Sequence, residues 1–92
     1  MPVTVRIPTQ LRTLTGGASE VEVEDGTVAE VLKQLDTAHP GFAERIFDDG
    51  SGALRRFVNV FVAEEDIRFL QNLDTPVTAG QVVSIVPAVA GG

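Results

Sequence analysis

Glu20-Val21-Glu22-Val23-Glu24, followed at once by Asp25-Gly26-Thr27-Val28-Ala29-Glu30-Val31-Leu32-Lys33-Gln34-Leu35, changes its hydrophobic period within sixteen residues. Up to Glu24, acids alternate with valines, the period of two that marks a half-buried strand. From Thr27 onward, Val28, Val31, Leu32 and Leu35 fall at i, i+3, i+4 and i+7, a single apolar stripe along a helix. Thr27 with Glu30 three residues later makes a capping box, which satisfies two backbone donors that a helix start leaves orphaned. Asp25-Gly26 closes the strand. Strand and helix each carry one apolar face, and both need a sheet to bury it.

Upstream, Val3, Val5 and Ile7 alternate with Thr4 and Arg6, a second half-buried strand. Pro8 ends it, because proline cannot donate to a ladder. A loop with the Gly16-Gly17 turn signal leads back to Glu20, so the two strands form an antiparallel hairpin. Downstream, His39-Pro40-Gly41 stops the helix. Phe42, Ile46 and Phe47 form a short helical turn over one end of the core, and Asp48-Asp49-Gly50-Ser51-Gly52 is a loop. Arg56-Phe57-Val58-Asn59-Val60-Phe61-Val62 is the strongest strand, apolar on both faces, as a central strand or one with a binding face would be. Glu64-Glu65-Asp66 reads as a turn and Ile67 to Leu70 as a short strand. Thr78-Ala79-Gly80-Gln81 leads into a last strand, Val82 to Pro87.

One helix across one face of a mixed sheet is an economical two-layer arrangement. With the last strand beside the first, the expected class is α+β, a β-grasp (ubiquitin-like) fold. It has a mixed four- to five-stranded sheet, one main helix on one face, and a flexible C-terminal tail. The expected division is a β-grasp domain over residues 1–87 and a carrier tail over 88–92.

Composition narrows the function. A chain of 92 residues, 43% of them hydrophobic, buries only about 60% of its unfolded surface, enough for one core but hardly a deep substrate cavity. It has no cysteine, which excludes disulfides, thiol nucleophiles and thiolate metal sites. The net charge of −6 offers no basic footprint for nucleic acid. The adjacent pair Arg55-Arg56 reads as a solvated strand entrance. Neither a signal peptide nor a membrane-spanning run is visible, and a cytoplasmic location is expected. Metal ligands are not expected: His39 is the only histidine, suited to a helix C-terminus. Asp48-Asp49-Gly50 lacks the spacing of a calcium loop, and Glu64-Glu65-Asp66 is a solvated turn. Lys33, the only lysine, lies on the exposed side of the helix.

No side chain stands out as catalytic, so attention passes to the tail. After Pro87 come only Ala88, Val89, Ala90, Gly91 and Gly92, which when extended reach roughly 17 Å. The tail has no charged side chain and tapers to residues without Cβ, so it can thread a narrow channel in another protein. A carboxylate on Gly92 is ionised at neutral pH. It can attack the α-phosphate of a nucleotide bound by a partner, giving an acyl-adenylate that a sulfur nucleophile converts to a thiocarboxylate. In the two strands flanking the tail, Phe57, Asn59 and Phe61 share the face opposite Val58, Val60 and Val62. Val82, Ser84 and Val86 likewise lie opposite Val83 and Ile85. If the helix covers the valine set, Phe61 and Val86 are left on the open face, and these with Pro87 are the expected docking residues.

The segments Arg56 to Val62, Glu65-Asp66-Ile67-Arg68-Phe69 and Ala79 to Gly92 resemble the MoaD/ThiS sulfur-carrier family. Within it, Pro87-Ala88-Val89-Ala90-Gly91-Gly92 and Arg56-Phe57-Val58-Asn59 are most similar to the CysO-like carriers of cysteine biosynthesis. Val3 to Leu11 and the Gly16-Gly17 turn are similar too, so the resemblance spans nearly the whole chain. It implies sulfur attachment at Gly92, with Ala88 to Gly91 threading a partner active site. It also implies ATP-dependent activation by an E1-like enzyme of the MoeB/ThiF type, with no cofactor bound to the carrier. In the CysO-like case a cysteine synthase is the acceptor and a metalloprotease releases the product. The alternatives are a MoaD-type small subunit of molybdopterin synthase, a ubiquitin-like modifier forming isopeptide bonds, and a non-carrier interaction module. The loop from Asp48 to Leu54 departs from the family pattern; the tail does not.

Overall fold

The computed structural model of the chain describes residues 2–47, 54 and 58–87. Its elements are β1 (Val3–Arg6), β2 (Glu20–Val23), β3 (Gly26–Thr27), α1 (Val28–Ala38), α2 (Phe42–Ile46), β4 (Val58–Val62), β5 (Glu65–Asp66), β6 (Pro76–Val77) and β7 (Val82–Pro87). The main sheet has five strands in the order β2-β1-β7-β4-β5, while β3 and β6 pair separately. β1 runs parallel to β7, and the other neighbours are antiparallel. The last strand therefore lies between the first and the strand before the irregular section. This is a β-grasp fold.

Period-2 and period-3.6 patterns meet in one core. Val3, Val5 and Ile7 from the first strand and its exit, Val58, Val60 and Val62 from β4, and Val83 and Ile85 from β7 are buried. They face Val28, Val31, Leu32 and Leu35, the expected stripe of α1. Burying an aliphatic side chain of this size contributes about 1.5–3 kcal/mol, so the twelve named here dominate over any surface contact. The capping box forms as read: Glu30 N donates to Thr27 Oγ1 at 3.2 Å, and Thr27 N donates to Glu30 Oε1 at 2.9 Å. His39 occupies the C-cap, its N–H bonded to the Leu35 carbonyl.

α2 closes one end of the core through Phe42 and Ile46, both fully buried. Asp36 of α1 holds its start, accepting from Gly41 N at 3.2 Å and Ala43 N at 2.9 Å. Gly41 has φ 115, and a Cβ there would meet Leu14 Cδ2 at 2.9 Å. Only glycine suits both constraints. Leu54 bridges back to Phe47, and both pack against the core.

Four expectations need correction. The segment after Pro8 is a 3₁₀ helix, Thr9–Thr15, rather than an irregular loop; Leu11 and Thr15 anchor it in the core and Gly16 ends it in the left-handed region. Glu65 and Asp66, read as part of a turn, form β5 against Val62 and Phe61. The turn is confined to Ala63 and Glu64, both at positive φ. Ile67–Phe69 is a 3₁₀ turn and not a strand, because Asp66 Oδ1 accepts from Arg68 N at 2.9 Å and curls the chain while Ile67 points into the core. Finally, Gly26–Thr27 extends the strand-to-helix junction by pairing with Pro76–Val77. The strand expected over Arg56 to Val62 is seen as β4 from Val58; Arg55, Arg56, Phe57 and the loop Asp48 to Gly52 lie outside the described residues.

Candidate functional site

β7 brings the chain to the site. Its two ladders place Thr4 opposite Val82 and Arg6 opposite Ser84 on the β1 side. On the β4 side they place Phe61 opposite Ser84 and Asn59 opposite Val86. Because facing residues in a ladder share a face, Thr4, Arg6, Asn59, Phe61, Val82, Ser84 and Val86 form one surface away from α1. A row crosses the whole sheet there: Glu20, Arg6, Ser84, Phe61, Asp66.

That surface is open where the opposite face is closed. Val86 is 45% exposed, and Phe61, Ser84, Val82 and Asn59 are half-buried. Phe61 and Val86 stand on a ladder diagonal, a spacing of about 7–8 Å between Cα atoms, so they form one apolar patch as expected. Pro87 does not join them. It pairs with Val58, which puts it on the core-side register, and it is half-buried at the end of the strand. It reaches the open side only at the rim of a shallow depression of about 420 Å³, lined also by Arg6, Gln10, Arg12, Ser84 and Val86. Ala88, Val89, Ala90, Gly91 and Gly92, the expected tail and attachment residues, lie outside the described residues.

Two features of this site escaped the sequence reading. Arg6 is visible in sequence as an outward position of the first strand. Its neighbour Arg12 is not, because the 3₁₀ helix that carries it has no periodic signal. The Arg12 side chain is fixed by an Nε–H donated to the Ile7 carbonyl at 3.1 Å. Phe69, 86% exposed, and Leu70 are the second apolar exposure, on the turn beyond β5.

No group of three His, Asp or Glu side chains among the described residues could hold a metal ion. Glu64 and Glu65 are exposed beside their turn, and the Asp66 carboxylate caps the next one. Lys33 is exposed on α1. No helix among the described residues is long and apolar enough to cross a membrane.

Comparison with known proteins fits this geometry. The chain is 46% identical over 93 residues to the sulfur carrier protein CysO of Mycobacterium tuberculosis, with 100% of both chains covered. It is 35% identical over 69 residues to small archaeal modifier protein 3 of Haloferax volcanii, covering 75% of this chain and 73% of that one. The crystal structure of the Amycolatopsis orientalis BexX/CysO complex contains a chain that superposes with a TM-score of 0.90 at 44% identity, covering 98% of this chain and 99% of that one. The ThiS family model matches residues 5–92, and the chain belongs to the ThiS family.

Proposed function

We propose that this protein is a sulfur carrier that works through its C-terminal Gly92 and supplies sulfur for biosynthesis, cysteine synthesis first. The observation that carries the proposal is the position of β7, locked between β1 and β4 and followed directly by Ala88-Val89-Ala90-Gly91-Gly92. Full-length identity to a protein named as a sulfur carrier supports the same reading. Residues 1–87 act as the platform and residues 88–92 as the carrier arm. An E1-like partner of the MoeB/ThiF type binds ATP and takes in the arm.

The chemistry balances without a side chain of this protein. A Gly92 carboxylate oxygen attacks the α-phosphorus, and the bond to pyrophosphate breaks. Sulfide equivalent then attacks the acyl carbon, AMP leaves, and a terminal thiocarboxylate remains. The carrier is thus a co-substrate with no resident cofactor, and ATP belongs to the partner. Phe61 and Val86 form the apolar surface the partner covers. A cysteine synthase receives the sulfur, and a metalloprotease releases the product. The CysO of Amycolatopsis orientalis forms a complex with BexX, which supports docking of a carrier of this shape on a partner protein. These reactions belong to the cytoplasm.

Intact mass spectrometry tests the proposal. With an active MoeB/ThiF-type enzyme, ATP and a sulfide donor, the chain should gain about 16 Da as one terminal oxygen is replaced by sulfur. No mass change would overturn it. Similarity to a small archaeal modifier protein favours a second reading, in which the same adenylate forms isopeptide bonds. That reading expects adducts on partner lysines that survive reductant.

A further inference from the structure

The basic residues at the root of the tail suggest what kind of partner surface the carrier meets. The chain carries a net charge of −6, yet Arg6 and Arg12 both line the depression beside Val86 and Pro87. Among the described residues neither guanidinium is in an ion pair. Glu20 faces Arg6 across the β1–β2 ladder, but no salt bridge closes between them. Arg12 spends only its Nε–H within the fold, on the Ile7 carbonyl. Arg68 approaches the same end of the sheet from the other side, donating to the carbonyl of Val58, the residue paired with Pro87.

Tail length makes this position consequential. The five residues after Pro87 span at most about 17 Å. A reacting centre that captures Gly92 must therefore lie within that distance, and the mouth of its channel must rest on the surface around Pro87. An acidic carrier with Arg6 and Arg12 at that spot suits an acidic mouth there, and the same acidic mouth repels the rest of its surface. We infer that Arg6 and Arg12 form a basic docking point for Asp or Glu side chains on the rim of the partner channel that admits the tail. This inference rests on the carrier reading and specifies its partner. The remaining acidic surface keeps the carrier from docking in other orientations.

The test is steady-state thiocarboxylate formation, followed by intact mass, with a MoeB/ThiF-type enzyme from the same cell as the varied-carrier assay partner. For Arg6→Glu combined with Arg12→Glu, KM for the carrier should rise about ten-fold or more while kcat stays within about two-fold, as expected for charges on an interface rim. Raising salt from about 0.05 to 0.3 M should weaken the wild type more than the double variant, because screening acts only where attraction exists. Arg12→Lys keeps the charge and should stay within about three-fold of wild type. Lys33→Glu, on the far helix, should not change KM.

Arg12→Glu removes a hydrogen bond and could disturb the fold. Arg6→Glu, with no such bond, must therefore raise KM on its own by about three-fold or more. Unchanged KM in the double variant, or equal salt dependence in wild type and variant, overturns the acidic mouth while leaving the carrier intact. Failure of the wild type to gain sulfur overturns the carrier reading and the acidic mouth with it.

Discussion

The two faces of β7 contrast sharply although one backbone serves both. Val83 and Ile85 are buried under α1, whereas Ser84 is half-buried and Val86 is 45% exposed on the reverse side. The strand alternates because its side chains must; what differs is that one face has a helix and the other has none. On the helix side an altered residue acts on folding. On the bare side it acts on whatever docks there, and the fold survives.

The largest test of this contrast uses the residues beyond both faces. Deleting Gly91 and Gly92 should abolish sulfur loading by mass spectrometry, with unfolding free energy unchanged within about 0.5 kcal/mol. Next comes Phe42→Ala beneath α2, which should cost about 3–5 kcal/mol in a denaturant titration. For a domain of this size each kcal/mol lowers the melting temperature by about 4–8 °C, so this variant should be largely unfolded when warmed. A loss below about 1 kcal/mol would mean that α2 is not part of the core.

On the open face, Phe61→Ser with Val86→Ser should slow ATP-dependent activation about ten-fold, as loss of a central apolar contact does. Stability in the same variant should fall by no more than about 1 kcal/mol. A variant that melts like Phe42→Ala would erase the distinction between the faces. The smallest effect is expected at Thr27→Ala, where losing the cap should cost about 1 kcal/mol and leave sulfur loading unchanged.

Most of the framework could be read from the residues alone, for a physical reason. β1, β2, α1, β4 and β7 each bury one face, so their period is written in the chain, and Thr27 with Glu30 marks the helix start within one residue. The short elements bury too little to leave a period. Thr9–Thr15 enters the core only through Leu11 and Thr15. The hairpin between β4 and β5 turns on Ala63 and Glu64 at φ 49 and 73, where Asn-Gly is the usual signal. No glycine announces that turn, so β5 looks like loop. The site was legible in the same measure. Alternation placed Phe61 and Val86 on one face; it could also have shown that Pro87, one residue on, falls on the other. Arg12 was out of reach because its helix was.

β7 also decides when the protein can fold at all. Remove it, and β2-β1 and β4-β5 become two ribbons with no strand joining them, since β7 alone is hydrogen-bonded to both. During synthesis this joining piece leaves the ribosome after every other strand. A chain cut short before β7 therefore lacks the strand that joins the two ribbons and two of the valine and isoleucine side chains that fill the core, Val83 and Ile85. The strand that presents the C-terminal residues is thus the same strand that completes the sheet, so the arm is offered only by a finished platform.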